Sequence, residues 1–142
     1  MTRRAPDASL TDFGQAIGLL FRRLRALNNQ HDLSWTQSAV LSRLAKDGPA
    51  TTADLARAES MKPQSMGSVV ASLEELDLVG RAPHPTDGRQ VHLTLTAKGA
   101  ALRKRLKEAK WEWLADAVAK LDEKERDTLF EAADIIKRLA GS

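Results

Sequence analysis

The sequence predicts a mostly α-helical protein with one small β-hairpin, and three observations carry that prediction. Apolar residues recur at steps of three and four from Leu10 to Leu27, from Met66 to Leu76 and from Leu102 to Leu121, which is the helical period. Val91, Leu93 and Leu95 alternate with His92 and Thr94, the pattern of a half-buried strand. Between that strand and a partner expected over Leu78–Ala82 lies Pro83-His84-Pro85-Thr86-Asp87-Gly88-Arg89, a loop whose Asp-Gly step favours a turn.

With 142 residues, 42% of them hydrophobic and 29% charged, the chain is expected to be one domain, or a core module with helical extensions. No apolar run is long enough to span a bilayer, and no signal-peptide core follows the start at Met1, so a cytoplasmic location is expected. The absence of cysteine excludes disulfides, thiolate metal sites and cysteine redox sensing. The net charge of +3 suits an acidic partner, yet seven Lys or Arg and seven acids balance between Arg43 and Lys98. DNA binding would therefore require the cations to be sorted onto one face, with Arg57, Lys62, Arg81 and Arg89 in front of Glu74, Glu75 and Asp77.

In chain order, residues 1–8 are expected to be a disordered, basic N-terminus. A first helix follows within 9–32, from Ser9 to Gln30. Leu10, Phe13, Ile17, Leu20, Leu24 and Leu27 give it a heptad-like seam. Ser34 and Gln37 form a capping box that starts the second helix at Trp35, and Asp47-Gly48-Pro49 stops it. Thr51 with Asp54 caps a short third helix to Ala58, which turns Leu55 and Ala56 inward. Pro63 at the first helical position opens a fourth, running to about Asp77. Thr96 caps a long fifth helix, and Asp122 with Glu125 caps the last.

The fourth helix carries the functional argument. Met66, Val69, Val70, Leu73 and Leu76 share one side, and at about 100° per residue the opposite side is Gln64, Ser68 and Ala71, flanked by Ser65, with Lys62 nearby. Short hydrogen-bonding side chains on an apolar-backed helix suit insertion into a DNA major groove, although an ordinary amphipathic surface helix has the same pattern. The hairpin tip reads as a wing in which Arg89 reaches a minor groove, where negative potential is concentrated, and Asp87 orients it. A solvated loop is the alternative.

These residues carry a resemblance. Leu55-Ala56, Lys62-Pro63-Gln64-Ser65, Leu73-Glu74, Leu78-Val79 and Arg81 resemble the winged helix-turn-helix of the MarR family of bacterial repressors. Asp87-Gly88-Arg89 is similar to that family's Asp-x-Arg wing, and Leu95-Thr96-Ala97-Lys98-Gly99 to its Leu-Thr-x-x-Gly entry into the next helix. The resemblance implies a winged core at 33–96 between dimerisation helices at 9–32 and 97–142. Lys62 stands where the family often has Ser, and Ser68 where it commonly has Arg, which removes one DNA contact. The implied DNA-binding set is Lys62, Gln64, Ser65, Ser68, Arg81, Asp87 and Arg89.

The resemblance also implies a small, commonly aromatic or phenolic, effector held between the dimer helices and the winged core. Leu24, His31 and Trp35 near the junction of the first two helices, with Trp113 from the fifth, are the candidates for its pocket; plain core packing is the other reading of both tryptophans. Nothing supports catalysis. There is no His-x-x-x-His, no Gly-rich phosphate loop and no Gly-x-Ser-x-Gly, and tyrosine and cysteine are absent. His84, His92 and Asp87 are read as solvated wing residues rather than a zinc site, so neither metal nor cofactor is expected.

The apolar stripes of the first and last helices exceed what one small core covers, and pairing with a second copy would hide them. A two-fold dimer also matches two half-sites about one DNA turn apart. The expected partners are thus double-stranded DNA, a second copy of the chain and a small-molecule effector. The expected function is that of a sequence-specific DNA-binding repressor. The alternative is a winged-helix module that binds protein, with weak or no specific DNA binding.

Overall fold

The computed structural model describes residues 6–30, 32–83, 85–86 and 88–141. Their elements in order are α1 (Asp7–Asn29), α2 (Trp35–Asp47), α3 (Thr52–Ala58), α4 (Pro63–Glu75), β1 (Val79–Pro83), β2 (Val91–Leu95), α5 (Ala97–Ala119) and α6 (Glu123–Ala140). The chain divides into two compact units, Met1–Lys107 and Glu108–Ser142, with the boundary inside α5.

Within the first unit the core is a single cluster. Leu33, Val40, Leu41 and Leu44 come from α2 and its approach, Leu55 and Ala56 from α3, and Met66, Val70 and Leu73 from α4. Leu78, Val79, Leu93 and Leu106 complete it. Each of these leucines, fully buried, contributes about 1.5–3 kcal/mol of apolar transfer free energy. The hairpin pairs antiparallel from Val79 opposite Leu95 to Pro83 opposite Val91. Ala50 adds a bridge on the outer side of β2, exchanging both backbone hydrogen bonds with Leu93. The linker between α2 and α3 is thereby stitched to the sheet.

The capping signals form as the sequence predicts. Ser34 with Gln37, Thr51 with Asp54, and Asp122 with Glu125 are all complete boxes. Gly48 follows α2 at φ 85°, a conformation that strains residues with a Cβ. The turns that end α3 and α4 have no glycine; the end of α3 at Ala58 falls where the sequence placed it, that of α4 does not. Ser60 at φ 53° and Asp77 at φ 60° take the left-handed position. Met61 N–H donates to Ala56 O, and Leu78 N–H to Leu73 O, closing a Schellman motif in each case.

Four expectations are corrected. α1 begins at Asp7 rather than Ser9, because Pro6 precedes the first turn and Asp7 favours its positive end. The remaining expected disorder, at residues 1–5, lies outside the described residues. α4 stops at Glu75, two residues early, and Leu76 sits at its cap 43% exposed instead of on the buried side. β1 spans Val79–Pro83, one residue later than expected. Val91 is exposed although it alternates with buried Leu93, because it pairs with Pro83 at the loop end of the hairpin, away from the core.

In the second unit, Trp113, Leu114, Ala117, Val118 and Leu121 are half-buried, while none of α6 is fully buried. Among the described residues, no helix is long and apolar enough to cross a membrane.

Candidate nucleic-acid interface

α3, its four-residue turn and α4 present the predicted face. Lys62, Gln64, Ser65 and Ser68 are all exposed, whereas Met66, Val70 and Leu73 on the other side are buried. Lys62 occupies the cap position of α4 and makes no side-chain cap bond. Lys62 thus leaves the first-turn N–H groups that follow Pro63 uncapped, at a helix end that favours anions. Ser68 Oγ lies 3.5 Å from Gln64 O, a long bond that leaves the hydroxyl available to another acceptor.

Two of the cations expected on this face are engaged with carboxylates of the same chain. Arg81 donates through Nε and Nη2 to both oxygens of Glu74, at 2.9 and 2.7 Å. Hydrogen bonding from Arg81 holds the Glu74 carboxyl below its usual range, and the same pair raises the Arg81 guanidinium. The bidentate geometry joins the last turn of α4 to β1, so Arg81 acts here as a brace between helix and wing. Arg57 donates to Asp54 at 2.5 Å within α3. Asp54 is held below its usual range first by hydrogen bonds from Thr51, with Arg57 adding to them. The sorting of positive charge onto one face is thus only partial.

Arg89 is exposed on the hairpin tip and engages a neighbour. Asp87, expected to orient it, and His84 lie outside the described residues. Of the residues expected around an effector, Leu24 and Trp35 are half-buried at the α1–α2 junction, and the Trp35 ring meets Phe21 at 4.8 Å with a 59° tilt. That ring contact fits the plain packing role and leaves both readings of Trp35 in place. His31 lies outside the described residues, and Trp113 belongs to the second unit.

What the sequence did not disclose is how firmly α4 is held. Thr96 Oγ1 donates to Asp77 O at 2.6 Å while accepting from Gly99 N–H at 3.0 Å. Lys98 Nζ donates to Leu76 O at 3.0 Å, placing a cation on the C-terminal carbonyls of α4. Gly99 lies directly against the Leu78 carbonyl. The Leu-Thr-x-x-Gly run is therefore a clasp between the end of α4 and the first turn of α5. On the other side, Arg43 of α2 donates to Glu59 in the α3–α4 turn at 3.1 Å. Such partners are far apart in sequence, and no periodicity announces them.

Comparison with known proteins agrees with this fold. The MarR family profile matches residues 33–91, from the approach to α2 to the start of β2. The chain is similar to an HTH-type transcriptional regulator of Mycobacterium bovis, with 42% identity over 94% of each chain. An HTH-type transcriptional repressor of the same organism shares 33% identity over 71% of this chain and 73% of its own. Among solved structures, RV1404 of Mycobacterium tuberculosis superposes with a TM-score of 0.85 at 26% identity, covering 100% of this chain and 99% of its own.

Proposed function

This chain belongs to the MarR family of HTH-type transcriptional regulators, and from that membership we propose that it is a dimeric, sequence-specific DNA-binding repressor. One observation carries the reading: the exposed row Lys62, Gln64, Ser65 and Ser68 stands on a helix whose back is locked into the core. Gln64, Ser65 and Ser68 meet base edges in the major groove, Lys62 meets a phosphate, and Arg89 enters the adjacent minor groove with Asp87 steadying it. Arg81 supports this arrangement from behind through Glu74. A cytoplasmic location goes with the reading, and no catalytic role is assigned.

Relief by a small aromatic ligand is the finer part of the proposal, supported by half-buried Leu24 and Trp35 beside the α1–α2 turn. Phenolic acids are expected to quench tryptophan fluorescence in a saturable manner, and His31→Ala to weaken that titration. Unchanged affinity in the variant removes His31 from the site.

The second reading, a winged module that binds protein, is favoured by the pairing of Arg57 and Arg81 with carboxylates. A gel shift at two salt concentrations separates the two. Arg89→Ala is expected to weaken binding to every duplex and to reduce the salt slope by about one, as loss of one phosphate-region contact does. A slope identical to that of the unsubstituted protein contradicts the wing assignment, and no shift on any duplex contradicts DNA binding.

A further inference from the structure

We infer that Gln37 is a positioning residue that sets the register of α4, and with it sequence discrimination, from outside the DNA-facing surface; this rests on the reading of α4 given above. Gln37 Nε2 donates to Ser72 Oγ at 2.9 Å, joining α2 to α4. Both partners are fixed by further bonds. Gln37 Oε1 accepts from Ser34 N–H at 2.8 Å as part of the α2 capping box, so the amide has one orientation. Ser72 Oγ donates to Val69 O at 2.6 Å, which turns its lone pairs toward the incoming amide.

The rest of the α2–α4 contact is apolar. Val40, Leu41 and Leu44 of α2 and Met66, Val70 and Leu73 of α4 share one buried cluster. Interdigitated apolar side chains restrict axial position but tolerate small slips, whereas a hydrogen bond weakens steeply once its length or angle departs from the optimum. The Gln37–Ser72 bond therefore selects one register among those the apolar surface tolerates. Gln64 lies eight residues before Ser72, about 12 Å along the helix at 1.5 Å per residue. A slip at Ser72 is carried along the rigid helix to the side chains proposed to read bases.

The same amide closes a longer polar chain. Asn28, buried at the end of α1, donates through Nδ2 to Leu33 O and Ser34 O, both at 3.1 Å. The cap that orients Gln37 is thus also the anchor of the α1–α2 turn, so displacement of that turn reaches α4 through Gln37.

The substitutions Gln37→Glu and Ser72→Ala isolate the bond. Glutamate at the third helical position still accepts from Ser34 N–H and preserves the capping box, but it has no proton to donate to Ser72, whose own hydroxyl proton is engaged by Val69 O. The measurement uses the full chain and two probes: a duplex selected by the unsubstituted protein from a random pool, and its scrambled counterpart at the same salt. Each single variant is expected to reduce the ratio of selected to scrambled affinity about tenfold, and the double variant no further, because both remove one interaction. The salt slope, the affinity for the scrambled duplex and the urea midpoint stay near those of the unsubstituted protein. An unchanged ratio, effects that multiply in the double variant, or a loss that tracks the urea midpoint overturns the inference. If the unsubstituted protein selects no duplex, the DNA-binding reading falls and this inference with it.

Discussion

Gly99→Ala is expected to destabilise the fold by about 3 kcal/mol, the upper end of what overpacking a well-filled site costs. A Cβ built at Gly99 stands 2.0 Å from Leu78 O and 2.9 Å from its carbonyl carbon. Those atoms are backbone, so no rotamer change relieves the clash. Leu78 O also accepts from Thr96 N–H at 3.2 Å, and Thr96 Oγ1 grips Asp77 O at 2.6 Å. Moving the carbonyl therefore loosens the clasp that ends α4. At fixed protein concentration the melting temperature should fall by roughly 6–12 °C, given about 2–4 °C per kcal/mol for a domain of this size. Gly18→Ala in α1 is the control. Its added Cβ meets nothing within 4 Å, and alanine is the better helix former by about 1 kcal/mol. A Gly99→Ala protein that melts within about 2 °C of the parent would contradict the close approach of α5 to the α4–β1 corner.

Ile17→Glu is expected to convert a dimer into monomers and to weaken operator binding by at least about 100-fold, the gain that linking two binding modules commonly provides. Leu10, Phe13, Ile17 and Leu20 line one side of α1 and are each 40% or more exposed in the single chain. Leu129, Phe130, Ile135 and Leu139 of α6 are also open. In a two-fold interface one substitution places two carboxylates in an apolar seam, where desolvating them is costly. Sedimentation velocity at micromolar concentration should give the mass of one chain for Ile17→Glu and of two for the parent. Gln15→Glu, on the far side of the same helix, should leave both mass and binding unchanged. A parent protein that is monomeric at that concentration removes the dimer from the account.

The fold was legible wherever a local signal existed. Ser34-x-x-Gln37, Thr51-x-x-Asp54 and Asp122-x-x-Glu125 are satisfied within four residues, so their helix starts could be read directly. The end of α4 was less legible, because Asp77 fills a position that glycine usually marks, whereas α3 ends at Ala58 as its sequence indicates. At the candidate interface the exposed row at Lys62, Gln64, Ser65 and Ser68 followed from helical periodicity alone. The behaviour of charge did not. Arg81 looked like a free cation in sequence, but Glu74 lies one helical turn and a tight corner away, close enough to take both of its donors. The Thr96 clasp, the Arg43–Glu59 tie and the Gln37–Ser72 bond share that character. Each joins residues at least sixteen apart, and each depends on topology that a one-dimensional pattern does not contain.

Hydroxyl-radical footprinting of the unsubstituted protein on a duplex selected from a random pool tests the groove assignment most directly. Lodging of α4 and the hairpin tip by two copies predicts two protected patches whose centres lie about one helical turn, roughly 10 base pairs, apart, with additional minor-groove protection that disappears in Arg89→Ala. A single unpaired patch, or minor-groove protection that survives loss of the Arg89 side chain, would contradict it.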